Sequence, residues 1–239
     1  MMRKVRADLH LHTCLSPCAD AQMQATAIVR QAKKMDLDMI GISDHNSAEN
    51  VAAVVKAGAR EGLPVIAGME ITSSEEVHIL GLFNTEHDLM DMQDVIYHNL
   101  PGENHEQAYG PQTVVDEWDN VLGTNSKLLL GATTLTVERV VEAIHQRSGI
   151  AIASHVDRER FSLIGQLGFI PKGLNLDAVE VSRPSSMKQE YGYPVVTFSD
   201  AHFLEDIGNS STEFMIEDVS VDEIRKALHN EMGRRIIVN

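Results

Sequence analysis

Long apolar runs are missing from this 239-residue chain, and no stretch approaches the roughly 18 consecutive apolar residues that a membrane-spanning helix needs. The first residues, MMRKVRADLHLHT, also lack the apolar segment of a secretory leader, so a soluble protein of the cytoplasm is expected. Cysteine is nearly absent: Cys14 and Cys18 are too few for a disulfide framework and suit a reducing compartment. Basic residues are scarce as well, 20 Lys and Arg against 35 Asp and Glu, for a formal net charge of -15. Binding to a nucleic-acid backbone relies on Lys and Arg that replace counterions, so no strong non-specific grip on nucleic acid is expected. The hydrophobic content of 43% over this length is enough for one substantial core, and a single domain is the expectation.

Metal-ligand residue types are plentiful by contrast. They stand in DLHLHT (8–13), SDHN (43–46), GME (68–70), VHILG (77–81), SHVDR (154–158) and SDAH (199–202), mostly just after an apolar run. Imidazole nitrogens and carboxylate oxygens together hold Zn, Mn or Fe, so this set at strand ends points to a multi-metal hydrolytic enzyme. Small phosphorylated substrates held by metals fit the acidic composition.

The runs themselves, at 5–8, 39–43, 64–69, 77–83, 150–154, 178–182 and 195–199, make seven candidate strands. Helical patterns alternate with them, clearest at 136–146, where Val137, Val140, Val141 and Ile144 share a face, and at 221–228, where Val221, Ile224 and Leu228 do. Alternation of this kind predicts an α/β fold with a largely parallel sheet. In a barrel, the strand C-termini converge at one mouth, where such enzymes carry out their chemistry. His78 lies at the start of its run instead, which predicts a local antiparallel turn-back between Glu70 and Phe83. Residues 84–134 are the least regular part and read as an insertion near the mouth.

His10 and His12 alternate along an extended segment, so both side chains face one side and can chelate a metal, with Asp8 on the same side. Asp44 and His45 end one apolar strand, Asp200 and His202 another. Asp44 suits a helix cap or a supporting role as readily as ligation, which leaves His45 and His202 as the better ligands. Glu70 closes the apolar PVIAGME, where a carboxylate is costly to desolvate unless paired or coordinated, and its two oxygens could bridge two metals. His78 and His155 interrupt apolar runs and are read as further ligands. His87, His98, His105, His145 and His229 have no partner motif and are set aside. Arg158, beside His155, and Arg183 are placed to bind a phosphate bidentately.

In this order the motifs resemble the PHP family, the polymerase and histidinol phosphatase group of metal-dependent phosphoesterases. The resemblance implies a distorted seven-stranded (β/α)7 TIM-like barrel with two to three divalent transition metals (Zn, Mn or Fe) at the C-terminal face of the strands. It implies His10, His12, Glu70 and Asp200 around one metal, Glu70, His78 and His155 around a second, and His45 and His202 around a third. The family supplies one more ligand to the third metal shortly after the HxH pair, and here the loop reads TCLSPCADAQM. Counting forward selects Cys18, whereas matching the aspartate pattern selects Asp20; the aspartate is preferred, and Cys14 is read as a packed small residue. The implied activity is hydrolysis of a small phosphorylated metabolite or nucleotide by a metal-activated hydroxide. The leaving group would take its proton from His202, from Asp20 or from water. A nuclease for short oligonucleotides and a metal-stabilised accessory module without turnover are the alternatives.

Overall fold

All seven apolar runs are strands in the computed structural model, which describes residues 1–188 and 190–237. They are β1 (Arg3–Leu11), β2 (Met39–Ile42), β3 (Val65–Thr72), β4 (His78–Phe83), β7 (Ile150–Ala153), β8 (Ala178–Glu180) and β9 (Val195–Val196). Between β4 and β7 a separate hairpin joins β5 (Thr113–Val115) to β6 (Val121–Thr124). Two strands that the periodicity did not reveal, β10 (Thr212–Ile216) and β11 (Arg235–Ile237), complete a nine-stranded sheet of order β11-β10-β1-β2-β3-β4-β7-β8-β9.

The fold is therefore mixed α/β with a curled sheet, and it differs from the expected seven-stranded barrel in strand count and closure. β10 takes the outer edge of β1 in antiparallel pairing, Val5 opposite Phe214, so β9 cannot pair along β1. The two sides of the curl instead meet near the site, where Leu11 bridges Ala201 and the His12 N–H donates to the Ala201 carbonyl at 3.0 Å. β10 and β11 were missed because TEFMI and RII are not continuous apolar runs and end in no ligand motif. Parallel pairing holds for β1-β2, β2-β3, β7-β8 and β8-β9. β4 runs antiparallel to both β3 and β7, with His78 opposite Thr72, which is the turn-back expected there.

One face of the sheet packs against α1 (Ala25–Lys34), α2 (Val51–Glu61), α3 (Glu86–Asn99) and α5 (Val137–His145), through residues such as Ile28, Val54, Met92 and Ile144. Val5, Ala7 and Leu9 face the other side, where Ile224 and Leu228 of α7 (Val221–Leu228) fill the core. Helix starts follow local chemistry. Thr136 and Ser220 accept the backbone N–H of Arg139 and Glu223, and the apolar faces expected of α5 and α7 are the buried ones.

Residues 84–134 are more regular than their sequence suggests. Thr85 caps α3, and Leu89 and Met92 of the acidic stretch DLMDMQD (88–94), with Ile96 just beyond it, stand at helical spacing and enter the core. A four-residue helix α4 (Glu106–Tyr109) and the β5-β6 hairpin follow. This segment lies on the loop after β1: the Thr113 N–H donates to the Cys14 carbonyl at 3.1 Å. Among the described residues no helix is long and apolar enough to cross a membrane.

Candidate metal centre

Strand ends supply the site. The register of β1 against β2 shifts between Asp8 and Leu11, so Leu9 and Leu11 enter opposite cores and the side chains beyond are re-aimed. His10 and His12 both turn to Glu70, which ends the apolar part of β3. Five imidazoles surround that carboxylate. Oε1 lies 3.2 Å from His10 Nε2, 3.1 Å from His78 Nδ1 and 3.3 Å from His155 Nε2, while Oε2 lies 3.1 Å from His45 Nδ1 and 3.5 Å from His12 Nε2. Asp200 Oδ1 stands 3.1 Å from His12 Nε2 and 3.4 Å from His10 Nε2. His155 and Asp200 hold positive φ values of 31° and 52°, a conformation uncommon outside glycine and characteristic of functional sites.

Three groups of ligand atoms gather within 4.8 Å: His10, His12, Glu70 and Asp200; His45, Glu70 and His78; His12, His45 and His202. The first is the set the motifs implied. The second takes in His45 where His155 was expected. His10 Nε2, His45 Nδ1, His78 Nδ1 and both Glu70 oxygens are buried without a hydrogen-bond partner among the described residues. Buried polar atoms are rarely left so, and donors of this kind aimed at common points fit divalent cations.

The electrostatics reflect the crowding. Burial would raise the Glu70 pKa, yet the charges of His78 and His10 hold it well below the carboxylate range, and His10 and His12 do the same for Asp200. Burial works to strip His10 of its proton, but Glu180, Glu70 and Asp200 hold its pKa well above the ordinary value. His12 goes the other way, lowered by burial and by the neighbouring His202 and His45.

Outer partners set the tautomers. His10 Nδ1–H donates to Glu180 at 2.8 Å, which turns Nε2 toward Glu70 and Asp200. Ser16 Oγ donates to Asp44 at 2.7 Å and so accepts from His12 Nδ1–H at 3.0 Å, again leaving Nε2 inward. His202 Nδ1–H donates to the Asp200 carbonyl at 2.9 Å. Asp44, which also accepts the Thr13 N–H and hydroxyl at 2.7 Å, therefore supports the loop and is no member of the three groups. Asp8 accepts the Ser199 and Gly208 N–H groups and fastens the Asp200 segment to β1; burial lifts its pKa to about 6. Glu180 was not singled out in the sequence, although a carboxylate ending the apolar AVE of β8 carries the same signal as Glu70.

In the loop after His12, Cys18 lines the cleft together with His202 and His45. Burial acts to raise its thiol pKa, but those imidazoles outweigh it and bring it to about 6. Asp20, the residue preferred from sequence, instead accepts the Gln22 N–H at 2.8 Å in a turn, so the structure brings Cys18 and not Asp20 to the imidazoles. Arg158 lines the cleft over the centre, with Nη1 2.5 Å from Asp200 Oδ2 and Nε 2.8 Å from Ser182 Oγ. Arg183 is engaged by Asp157 at 3.2 Å and lies in a different surface hollow. His145 pairs with Asp177 at 2.9 Å, apart from the site. Arg160, Phe161 and Leu130, none of them picked out in the sequence, complete the rim of the cleft, whose volume is about 450 Å³.

A model of the PHP domain matches residues 8–167, and one of a PHP-associated region matches residues 185–231. An uncharacterized protein of Methanocaldococcus jannaschii is 31% identical over 90 residues, 34% of this chain and 52% of its own length. A 3',5'-nucleoside bisphosphate phosphatase of Chromobacterium violaceum is 31% identical over 78 residues, 31% of this chain and 26% of that protein. The chain thus spans about half or less of these relatives. Among solved structures, the lesion-specific endonuclease of Pyrococcus furiosus superposes with a TM-score of 0.76 at 21% identity, over 99% of this chain and 58% of the endonuclease, a likeness of fold.

Proposed function

We propose that this chain, which belongs to the PHP domain family, is a metal-dependent phosphoesterase that hydrolyses a small phosphorylated metabolite or nucleotide. The observation that carries the reading is the convergence of ligand atoms of the buried His10, His12, His45 and His78, and of Asp200, on Glu70, with the outer Nδ1 atoms of His10 and His12 engaged by Glu180 and Ser16 so that their Nε2 atoms face the centre. His10, His12, Glu70 and Asp200 would hold one cation, Glu70, His45, His78 and His155 a second, and His45, His202 and Cys18 a third. Bound divalent cations supply Lewis acidity toward phosphoryl oxygens and acidify water to a nucleophile near neutral pH.

The chain's own side chains do the rest. Arg158, anchored on Asp200 and Ser182, presents its remaining N–H donors to the cleft, where a guanidinium suits phosphate oxygens. Arg160 lines the same cleft with no hydrogen-bond or ion-pair partner among the described residues and adds positive charge for the substrate. His202, 22% exposed at the cleft wall, would protonate a leaving oxygen only where it does not itself hold the third cation, and Asp20 accepts the Gln22 N–H through Oδ1 in its turn.

The fold likeness to an endonuclease favours one second reading, cleavage of a nucleic-acid phosphodiester. The net charge of -15 weighs against long polymers and for a small ester. Elemental analysis of undialysed protein, followed by a screen of phosphomonoesters, dinucleotides and oligonucleotides with added Mn, tests both. Two to three transition metals per chain and phosphomonoester turnover are expected. Turnover of oligonucleotides alone would move the assignment to the nuclease, and a chain that binds no metal would overturn both.

A further inference from the structure

We infer that Phe161 is a stacking platform for the base of a nucleotide, which narrows the substrate class of the phosphoesterase site proposed above and rests on that reading. One face of its ring is covered by His78, with centroids 4.8 Å apart and planes at 16°, and the residue remains 41% exposed on the cleft rim. The apolar ring is thus fixed from beneath and open above. Its backbone carbonyl accepts the His78 N–H at 2.9 Å, so the platform is tied to the start of β4 and to a residue of the metal centre.

The backbone at Phe161 has a φ of 56°, a left-handed conformation that is a true outlier for a bulky side chain. Gly or Asn would meet the same turn at less cost, so strain at an exposed aromatic marks a ring held in place for use. Leu130, 37% exposed, lines the same cleft from the 84–134 segment, and Arg160, with no partner among the described residues, precedes Phe161 in the chain. A flat apolar group beside a cation, over imidazoles and carboxylates suited to metals, matches a nucleotide: the base on the ring and the phosphate toward the centre. The cleft of about 450 Å³ lies within the usual size of small-ligand sites.

The test is equilibrium binding by calorimetry to full-length protein as purified, with adenosine monophosphate, glycerol 1-phosphate and a short single-stranded oligonucleotide as probes. Base–aromatic stacking predicts that Phe161→Ala weakens adenosine monophosphate by roughly 5- to 150-fold, leaves glycerol phosphate unchanged, and is rescued by Phe161→Tyr. Dependence on Phe161 for the oligonucleotide alone would also support the platform and assign its base to a strand. Equal weakening of both small phosphates, or wild-type protein that prefers no nucleotide over glycerol phosphate, would overturn it. Because affinity and hydrolysis are separate readouts, a protein that binds nucleotide through Phe161 yet hydrolyses nothing would retain the platform and sink the phosphoesterase reading. Metal content and melting temperature of Phe161→Ala, expected at wild-type values, exclude a folding defect.

Discussion

Removing Glu180 tests whether a carboxylate that touches no candidate metal nevertheless controls the centre. Glu180 and His10 are both fully buried, and their Oε2 and Nδ1 atoms lie 2.8 Å apart. In metal-free protein His10 is held protonated, with Glu180 the foremost of the charges that keep it so. Truncation of one partner of a buried pair costs about 3–5 kcal/mol, so Glu180→Ala is expected to lower the stability of metal-stripped protein by that amount in a urea titration. In loaded protein His10 is neutral, and loss of its outer partner weakens metal affinity by about 10- to 100-fold. Glu180→Gln keeps an acceptor for Nδ1–H but removes the charge, so it should preserve most of the stability and still weaken the metal toward the lower end of that range. Competition against a chromophoric chelator reads the affinity directly. Wild-type affinity in a folded Glu180→Ala protein would refute the reasoning, because His10 would then be oriented without its partner.

Cys18→Ser is expected to reduce bound metal by about one ion per chain, as three-ligand sites lose their ion with a ligand, while Asp20→Asn leaves the count unchanged; the reverse pattern would restore Asp20 as the ligand. Metal-free protein should be most stable near neutral pH. His10 and His45 have folded pKa values well above 6.5, so their contribution is full below that value and is lost as the pH rises through the folded ones. Glu70 and Asp200 are held well below 4.5 and 3.8, so their contribution is present above these values and lost as the pH falls through the folded ones. His12 and His78, held below 6.5, add to the loss on the acid side. Metal takes up neutral imidazoles, so the gain in melting temperature on loading should grow from about pH 5 to 9, and a pH-independent gain would contradict it. At Gly41 of β2 a Cβ would stand 2.6 Å from the Leu9 carbonyl oxygen and 2.9 Å from its Cα, so Gly41→Ala must push β1 away. A loss of about 1–3 kcal/mol by denaturant titration, with weakened metal binding because β1 carries His10 and His12, is expected; an unchanged protein would show that the strands yield freely.

Much of the centre was legible in the chain because its signals are short-ranged. The two-residue spacing of His10 and His12, and the Asp-His pairs that follow apolar runs, are properties of one strand each, and strand periodicity places them without knowledge of the partners. The seven runs were legible for the same reason, as were the buried faces of α5 and α7. What the tertiary structure decided is long-ranged. Glu180 meets His10 across 170 positions only because the curled sheet brings the ends of β8 and β1 together. That Cys18 lines the cleft while Asp20 caps a turn follows from how the loop is held, with Ser16 on Asp44 and the Asp20 N–H on the His202 carbonyl at 2.8 Å. Strand count and closure escaped the sequence because β10 competes for an edge of β1, and pairing between distant segments leaves no local pattern. The residue types that can bind metal were set by the sequence, but which nitrogen of His10 and His12 faces the centre was set by partners that only the fold supplies.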